Sequence, residues 1–209
     1  MPHTNRVFFG LLLACLGAGA VFLLQHNHGD EVLAVNRWHS PARDVFFKYA
    51  THLGDGLVCL AIGLGALLVK FRYAVQILAS YGLSSLLAQL LKRVVFADTP
   101  RPAAFFKDYP LQFVDGVDIL YANSFPSGHS TSAFALCLSL ACIGRKPGFD
   151  LVFFGLAALA AFSRVYLAQH FLVDTLAGAC LGTGVAWLVA GYLARQSGQA
   201  WPERRLRGW

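Results

Sequence analysis

Apolar residues dominate six stretches of this chain, and polar residues cluster in the gaps between them. A membrane-spanning helix needs ~20 mostly apolar residues, with ~17 to 25 tolerated. Segments 7–25, 51–69, 73–91, 127–144, 149–167 and 172–194 meet that requirement. Three have short uncharged centres, because Asp55 and Lys70, His129 and Arg145, and Asp150 and Arg164 close in on them. Polar side chains are therefore expected at or just below the membrane surface. The pattern predicts an all-α protein: a six-transmembrane-helix bundle forming one domain over residues 1–209, with a short interfacial amphipathic helix and a long outer loop between helices 3 and 4.

Composition sharpens this picture. The 209 residues are 56% hydrophobic and only 13% charged, outside the range of a soluble globular domain. The formal net charge of +6 does not point to nucleic acid, because the basic residues fall singly or in pairs between apolar runs and form no continuous face. Their placement orients the protein instead, since cytoplasmic loops are enriched in Lys and Arg. With six spans, Arg6, Lys70 with Arg72, Arg145 with Lys146, and Arg195, Arg204, Arg205 and Arg207 share one side. That side is expected to be the cytoplasm and to hold both termini. Cys15, Cys59, Cys137, Cys142 and Cys180 lie inside apolar runs without metal-site or disulfide-framework spacing, and read as small buried hydrophobes. "LLAC" ending at Cys15 and "AGA" ending at Ala20 resemble processing signals, but the apolar run continues past both to Leu24, so the segment reads as a retained span.

The opposite side receives residues 26–50, 92–125 and 168–171. Ser40 and Pro41 read as an N-cap followed by an N1 proline, with Trp38, Phe46, Phe47 and Tyr49 nearby, which suits a helix lying at the interface. Segment 92–125 alternates aromatic and charged residues, is too long for a plain turn, and is expected to fold over the outer mouth.

This same face collects Lys92, Arg93, Arg101, Ser127, His129, Arg164, His170 and Asp174. Charged groups near a membrane core are costly and usually functional, and a bound anion would explain why these gather. In "PSGH", Ser127 and Gly128 open the fourth span, where free N–H groups and the positive dipole end favour an anion, and Gly128 lets the backbone approach it closely. His129 follows in the first turn. In "SRVYLAQHFLVD", Asp174 stands four residues after His170, so a helix beginning near His170 would put both on one face. The carboxylate would fix the imidazole tautomer through Nδ1 and leave Nε2 as nucleophile or base. Arg164 is suited to bidentate contact with phosphate oxygens. Arg101, between Pro100 and Pro102, is held by a backbone with fixed φ angles.

"PSGH" at 126–129 and Ser163-Arg164, five residues, His170, three residues, Asp174 resemble two signature motifs of the type 2 phosphatidic acid phosphatase superfamily. The family's first motif is Lys, six residues, Arg-Pro. Here Arg101-Pro102 matches, but eight residues separate Lys92 from Arg101 and seven separate Arg93 from it, so either cation could fill the lysine's place, with Lys92 favoured. The resemblance implies a metal-independent membrane lipid phosphatase acting on a lipid phosphate monoester or pyrophosphate of isoprenoid, phosphatidate or phosphatidylglycerophosphate type. His170 would be the nucleophile, Asp174 its partner and His129 the acid and base, while Lys92, Arg101, Ser127, Gly128 and Arg164 would bind phosphate. No cofactor, metal, nucleic acid or obligate protein partner is expected; the partners are the bilayer and its lipid, at the periplasmic or extracytoplasmic face of a bacterial inner membrane. Two alternatives stand beside it: a lipid phosphotransferase with the same site, and a proton or anion transporter.

Overall fold

Every regular element of the computed structural model, which describes residues 5–196, is helical. They are α1 (Arg6–Gln25), α2 (Asp30–Asn36), α3 (Pro41–Ala50), α4 (Gly56–Gly65), α5 (Phe71–Leu90), α6 (Pro102–Phe105), α7 (Gly128–Gly144), α8 (Pro147–Tyr166) and α9 (Leu172–Arg195). A 3-10 turn, Thr51–Gly54, joins α3 to α4, a second, Ala66–Leu68, follows α4, and a π-helical turn, Leu91–Val95, ends α5. Ser40 and Pro41 take the expected N-cap and N1 places of α3, while the short helix α2 is an addition to the expected elements.

By length and composition, α1, α5 with its π-turn, α8 and α9 can each cross a membrane. This is a membrane protein, with four to five helices that pass as spans by length and composition beside the six expected. The predicted span 51–69 breaks at Gly54-Asp55-Gly56: Pro41–Gly54 and Gly56–Leu68 meet at 54° and count as a fifth span only when taken as one bent unit. At 17 residues, α7 is apolar but shorter than the other spanning helices. Both departures occur where polar groups converge, because a chain that brings its backbone to a polar site cannot also run straight through hydrocarbon.

Helix α7 is the centre of the bundle: eleven of its 17 residues are buried and none is exposed. It packs so closely on α9 that a Cβ on Gly178 would lie 2.5 Å from the Ser127 carbonyl oxygen, and one on Gly182 2.2 Å from that of Thr131. Small residues permit such backbone contact between spanning helices, which gain little from the hydrophobic effect within lipid. Phe8, Phe134 and Phe154 tie α1, α7 and α8 together edge to face, with centroids 5.3 to 6.2 Å apart. Cys59 and Cys137 are buried as expected, but Cys15 and Cys180 are exposed on the outer surfaces of α1 and α9, where the apolar surroundings are lipid rather than protein.

Hydrogen bonds gather the basic helix ends. Asn5 Nδ2 donates to Asp150 Oδ1 at 2.7 Å, Cys142 Sγ to Asn5 Oδ1 at 3.2 Å, and Arg72 Nη2 to the Leu193 carbonyl at 3.0 Å. Arg204, Arg205 and Arg207, counted on the same side, lie outside the described residues. At the other end the connection between α5 and α7 folds back on itself. Arg101 N–H donates to the Tyr121 carbonyl at 2.9 Å, and Ser124 N–H to that of Thr99 at 3.1 Å. Asn36 on α2 and Lys48 on α3 bind its Gln112 and Asp115 carbonyls, and Gln169 binds that of Asp118.

Candidate active site

The turn between α8 and α9 sets the centre of the site. Gln169 and His170 N–H groups both donate to the Arg164 carbonyl, at 2.9 and 3.2 Å, closing residues 164–170 into a tight loop. Closure puts Ala168 at φ +50°, the left-handed region disfavoured for a residue with a Cβ. Ala168 is 1% exposed, so surrounding packing holds the strain. The result is that the Arg164 and His170 side chains issue from one buried turn.

His170 stands two residues ahead of α9 rather than inside it, which corrects the expectation that both members of its pair lie on one helical face. Phe171 is the N-cap, and Asp174, at N3, reaches back to accept the Phe171 N–H at 3.0 Å. The same Oδ2 accepts the Ser124 hydroxyl at 2.5 Å and lies 3.3 Å from His170 Nδ1. Nδ1 is thus turned to the carboxylate, with Ser124 Oγ 3.4 Å away, and Nε2 faces Arg101 Nη1 at 3.4 Å. Burial, then the charges of Arg101, Arg164 and Lys92, with a smaller part from His129, hold the His170 pKa well below the usual histidine value. The ring is neutral at physiological pH, with a free electron pair on a nitrogen that faces cations.

Loop carbonyls aim Arg101. Its Nε donates to Ala122 at 2.9 Å and its Nη1 to Gln169 at 3.0 Å. Burial lowers its pKa and Asp174 opposes that shift; a guanidinium remains charged. Arg164 Nη1 donates to Thr51 Oγ1 at 2.7 Å, while its buried Nε has no hydrogen-bond partner among the described residues. Lys92 is buried and Arg93 exposed, which distinguishes the two candidate cations. Both lie in the π-turn, across which the Phe96 N–H reaches back to the Leu91 carbonyl at 2.8 Å.

Ser127 is the N-cap of α7 and accepts from Ser130 N–H at 3.4 Å and the Ser130 hydroxyl at 3.1 Å, leaving its own proton to donate. Its backbone N–H is fixed by the Asp174 carbonyl at 3.0 Å, joining the two helix starts. A Cβ on Gly128 would meet nothing within 4 Å. The space at that position is open, and an anion at this helix N-terminus would find backbone N–H groups and a favourable dipole.

His129 has a partner that the sequence did not reveal: Nε2 lies 2.8 Å from Asp55 Oδ1. Thr51, Ser124 and Gln169 were also missed, although each binds a residue that was expected. Asp55 carried a usable signal, a carboxylate between two glycines at the end of an apolar run, whereas the others are common polar residues whose roles depend on long-range folding. Among the described residues no three His, Cys, Asp or Glu side chains converge as metal ligands. The Gln76 amide binds the Ser139 carbonyl at 3.1 Å and Ser139 the Ala135 carbonyl at 2.8 Å, so these mid-span polar groups are bonded in place rather than arranged as a pathway.

Comparison with known proteins gives this geometry a family context. Residues 73–197 match the model of the PAP2 superfamily. Undecaprenyl-diphosphatase BcrC of Bacillus subtilis is 40% identical over 70 residues, covering 34% of this chain and 33% of that protein. Phosphatidylglycerophosphatase B of the same organism is 29% identical over 209 residues, covering 91% of this chain and 94% of the relative. The matched stretches of BcrC and two further relatives span only 33% to 52% of their own lengths. The crystal structure of Aquifex aeolicus LpxE superposes with a TM-score of 0.69 at 26% identity, over 80% of this chain and 96% of that one.

Proposed function

The chain belongs to the PAP2 superfamily, and we propose that it is a single-domain, metal-independent phosphatase for a membrane lipid carrying a phosphate monoester or pyrophosphate. The observation that carries this reading is the buried His170 ring, backed through Nδ1 by Asp174 and Ser124 and facing Arg101 through Nε2. A neutral imidazole under a cluster of cations is suited to attack a phosphoryl group whose oxygens those cations bind.

His170 Nε2 attacks phosphorus in line, an N–P bond forms, and the bond to the leaving oxygen breaks as His129 supplies a proton to it. Water then attacks the phosphohistidine, His129 takes its proton, and inorganic phosphate leaves with His170 restored. Asp174 stabilises the positive charge that the ring carries as the phosphohistidine. Lys92, Arg101, Arg164, the Ser127 hydroxyl and the N–H groups at Gly128 hold the equatorial oxygens, where the transition-state charge is spread. Preorganised donors in a water-poor setting supply most of the stabilisation in such a site.

The lipid substrate follows from depth, because the reacting groups lie at the ends of spanning helices, where a lipid phosphate also lies. The aromatic connection between α5 and α7 covers that end and gives an acyl or prenyl chain an apolar neighbour. The relatives' names favour undecaprenyl pyrophosphate and phosphatidylglycerophosphate within this class. The basic helix ends face the cytoplasm and the site opens on the extracytoplasmic side of the inner membrane, following the positive-inside rule.

Purified protein in mixed micelles, assayed with undecaprenyl pyrophosphate, phosphatidate, phosphatidylglycerophosphate and a phosphorylated glycolipid, is expected to release inorganic phosphate from at least one, and EDTA is expected to leave the rate unchanged. Transfer of labelled phosphate to a second lipid instead of water would identify a phosphotransferase. Activity lost on chelation and restored by Mg²⁺ would contradict the metal-independent mechanism.

A further inference from the structure

Asp55 occupies the residue before α4, where an aspartate ordinarily accepts an N–H from the first turn of its own helix. It makes no such bond. Both carboxylate oxygens are turned away: Oδ1 to His129 Nε2 at 2.8 Å, and Oδ2 to His52 Nδ1 at 2.5 Å. The backbone is built for this. A Cβ on Gly54 would lie 2.7 Å from the His129 carbonyl oxygen, and one on Gly56 2.1 Å from the Tyr81 hydroxyl. Glycine on both sides lets the break in the bent span press against α7 and α5, which delivers the carboxylate to the imidazole.

From this geometry we propose that Asp55 is a positioning residue for proton transfer by His129, a role that deepens the phosphatase reading and rests on it. Asp55 accepts the Nε2 proton, which fixes the tautomer with the electron pair on Nδ1. It then stabilises the imidazolium formed when Nδ1 takes a proton from the attacking water, and the neutral ring is restored when Nδ1 delivers that proton to a leaving oxygen. His52, 57% exposed, secures the carboxylate's other oxygen from the solvent side. Burial, Arg164 of α8 and Arg101 of the outer connection all act on the His129 ring, and His170 lies within their reach. The two arginines supply positive charge that opposes a second positive charge on the ring, so the carboxylate is the group that favours it.

The test compares Asp55→Asn with the unaltered protein on two phosphate esters. Phosphatidate has an alkoxide-type leaving oxygen that needs a proton, whereas 4-nitrophenyl phosphate has one that departs without it. The expected result is a fall in kcat for phosphatidate of about 10- to 100-fold, part of the ~10²–10⁴ that positioned acid–base catalysis supplies. KM should be unchanged, and 4-nitrophenyl phosphate should lose less than about 3-fold on the same reasoning. Asp55→Glu, which keeps the charge, should recover part of the loss. Nitrogen-15 NMR of the His129 ring provides a readout independent of turnover: the proton resides on Nε2 in the unaltered protein and redistributes in Asp55→Asn. Equal losses on both esters, or an unchanged tautomer, would overturn the assignment of Asp55. An unaltered protein that releases phosphate from none of the four lipids named above would instead overturn the phosphatase reading, while the tautomer measurement still decides whether Asp55 sets the ring.

Discussion

Two histidines of the candidate site each stand beside an aspartate, yet their surroundings differ. The His170 and Asp174 side chains are 2% and 4% exposed, and Asp174 is further engaged by Ser124 and a backbone N–H. His129 and Asp55 are 32% and 31% exposed, and Asp55 continues to a histidine in contact with solvent. Under the proposed mechanism, exclusion of water would keep the first imidazole neutral and shelter a covalent intermediate, while partial access to water would let the second exchange the protons that leaving-group departure and hydrolysis consume and release. Burial would then divide nucleophile from acid and base between chemically identical side chains.

The largest expected effect falls on the buried pair. His170→Ala should abolish phosphate release, a loss on the order of 10⁶-fold as for removal of a catalytic nucleophile, whatever the leaving group, in a protein that still folds by circular dichroism. His129→Gln should cost about 10²–10⁴ for a lipid phosphate and far less for 4-nitrophenyl phosphate. Equal sensitivity of the two variants to the leaving group would erase the distinction between the pairs. Next is Asp174→Asn, expected to lower kcat by on the order of 10⁴-fold, the scale of losing an orienting carboxylate, with both esters affected alike in steady-state assays.

These roles were unevenly legible in the sequence. Arg164, His170 and Asp174 lie within eleven residues, and Ser127, Gly128 and His129 are consecutive, so local spacing announced them. Asp55 and Thr51 reach the site only because the second apolar run breaks and folds against α7 and α8, which an apolar pattern cannot show. The run was read as one span for the same reason: hydropathy reports that a segment prefers lipid, while the bend depends on glycines whose neighbours come from other helices. Lys92 was favoured over Arg93 in the sequence, and the π-turn buries Lys92 and exposes Arg93.

A smaller effect concerns pH. Because burial, and then the nearby cations, hold the His170 pKa down, the ring stays unprotonated, and activity should be lost only as pH falls through that depressed value. Arg101→Gln removes a positive charge that opposes protonation, so the ring would protonate at higher pH. The acid limb of kcat against pH should therefore move upward, in addition to weakened phosphate binding; an unmoved limb would show that Arg101 does not set the charge state of His170. The smallest effect is architectural. Gly182→Ala places a methyl against the Thr131 carbonyl at the α7–α9 crossing and should destabilise the bundle by about 1–3 kcal/mol, read as a lower midpoint of thermal unfolding in detergent.

The division of labour is tested most directly by trapping the enzyme during turnover of a lipid substrate carrying ³²P in its scissile phosphate, and mapping the label by mass spectrometry under alkaline conditions that preserve phosphohistidine. The account predicts label on His170, none in His170→Ala, and label that persists longer in His129→Gln than in the unaltered protein. Label on another residue, or turnover with no labelled protein at any time, would contradict it.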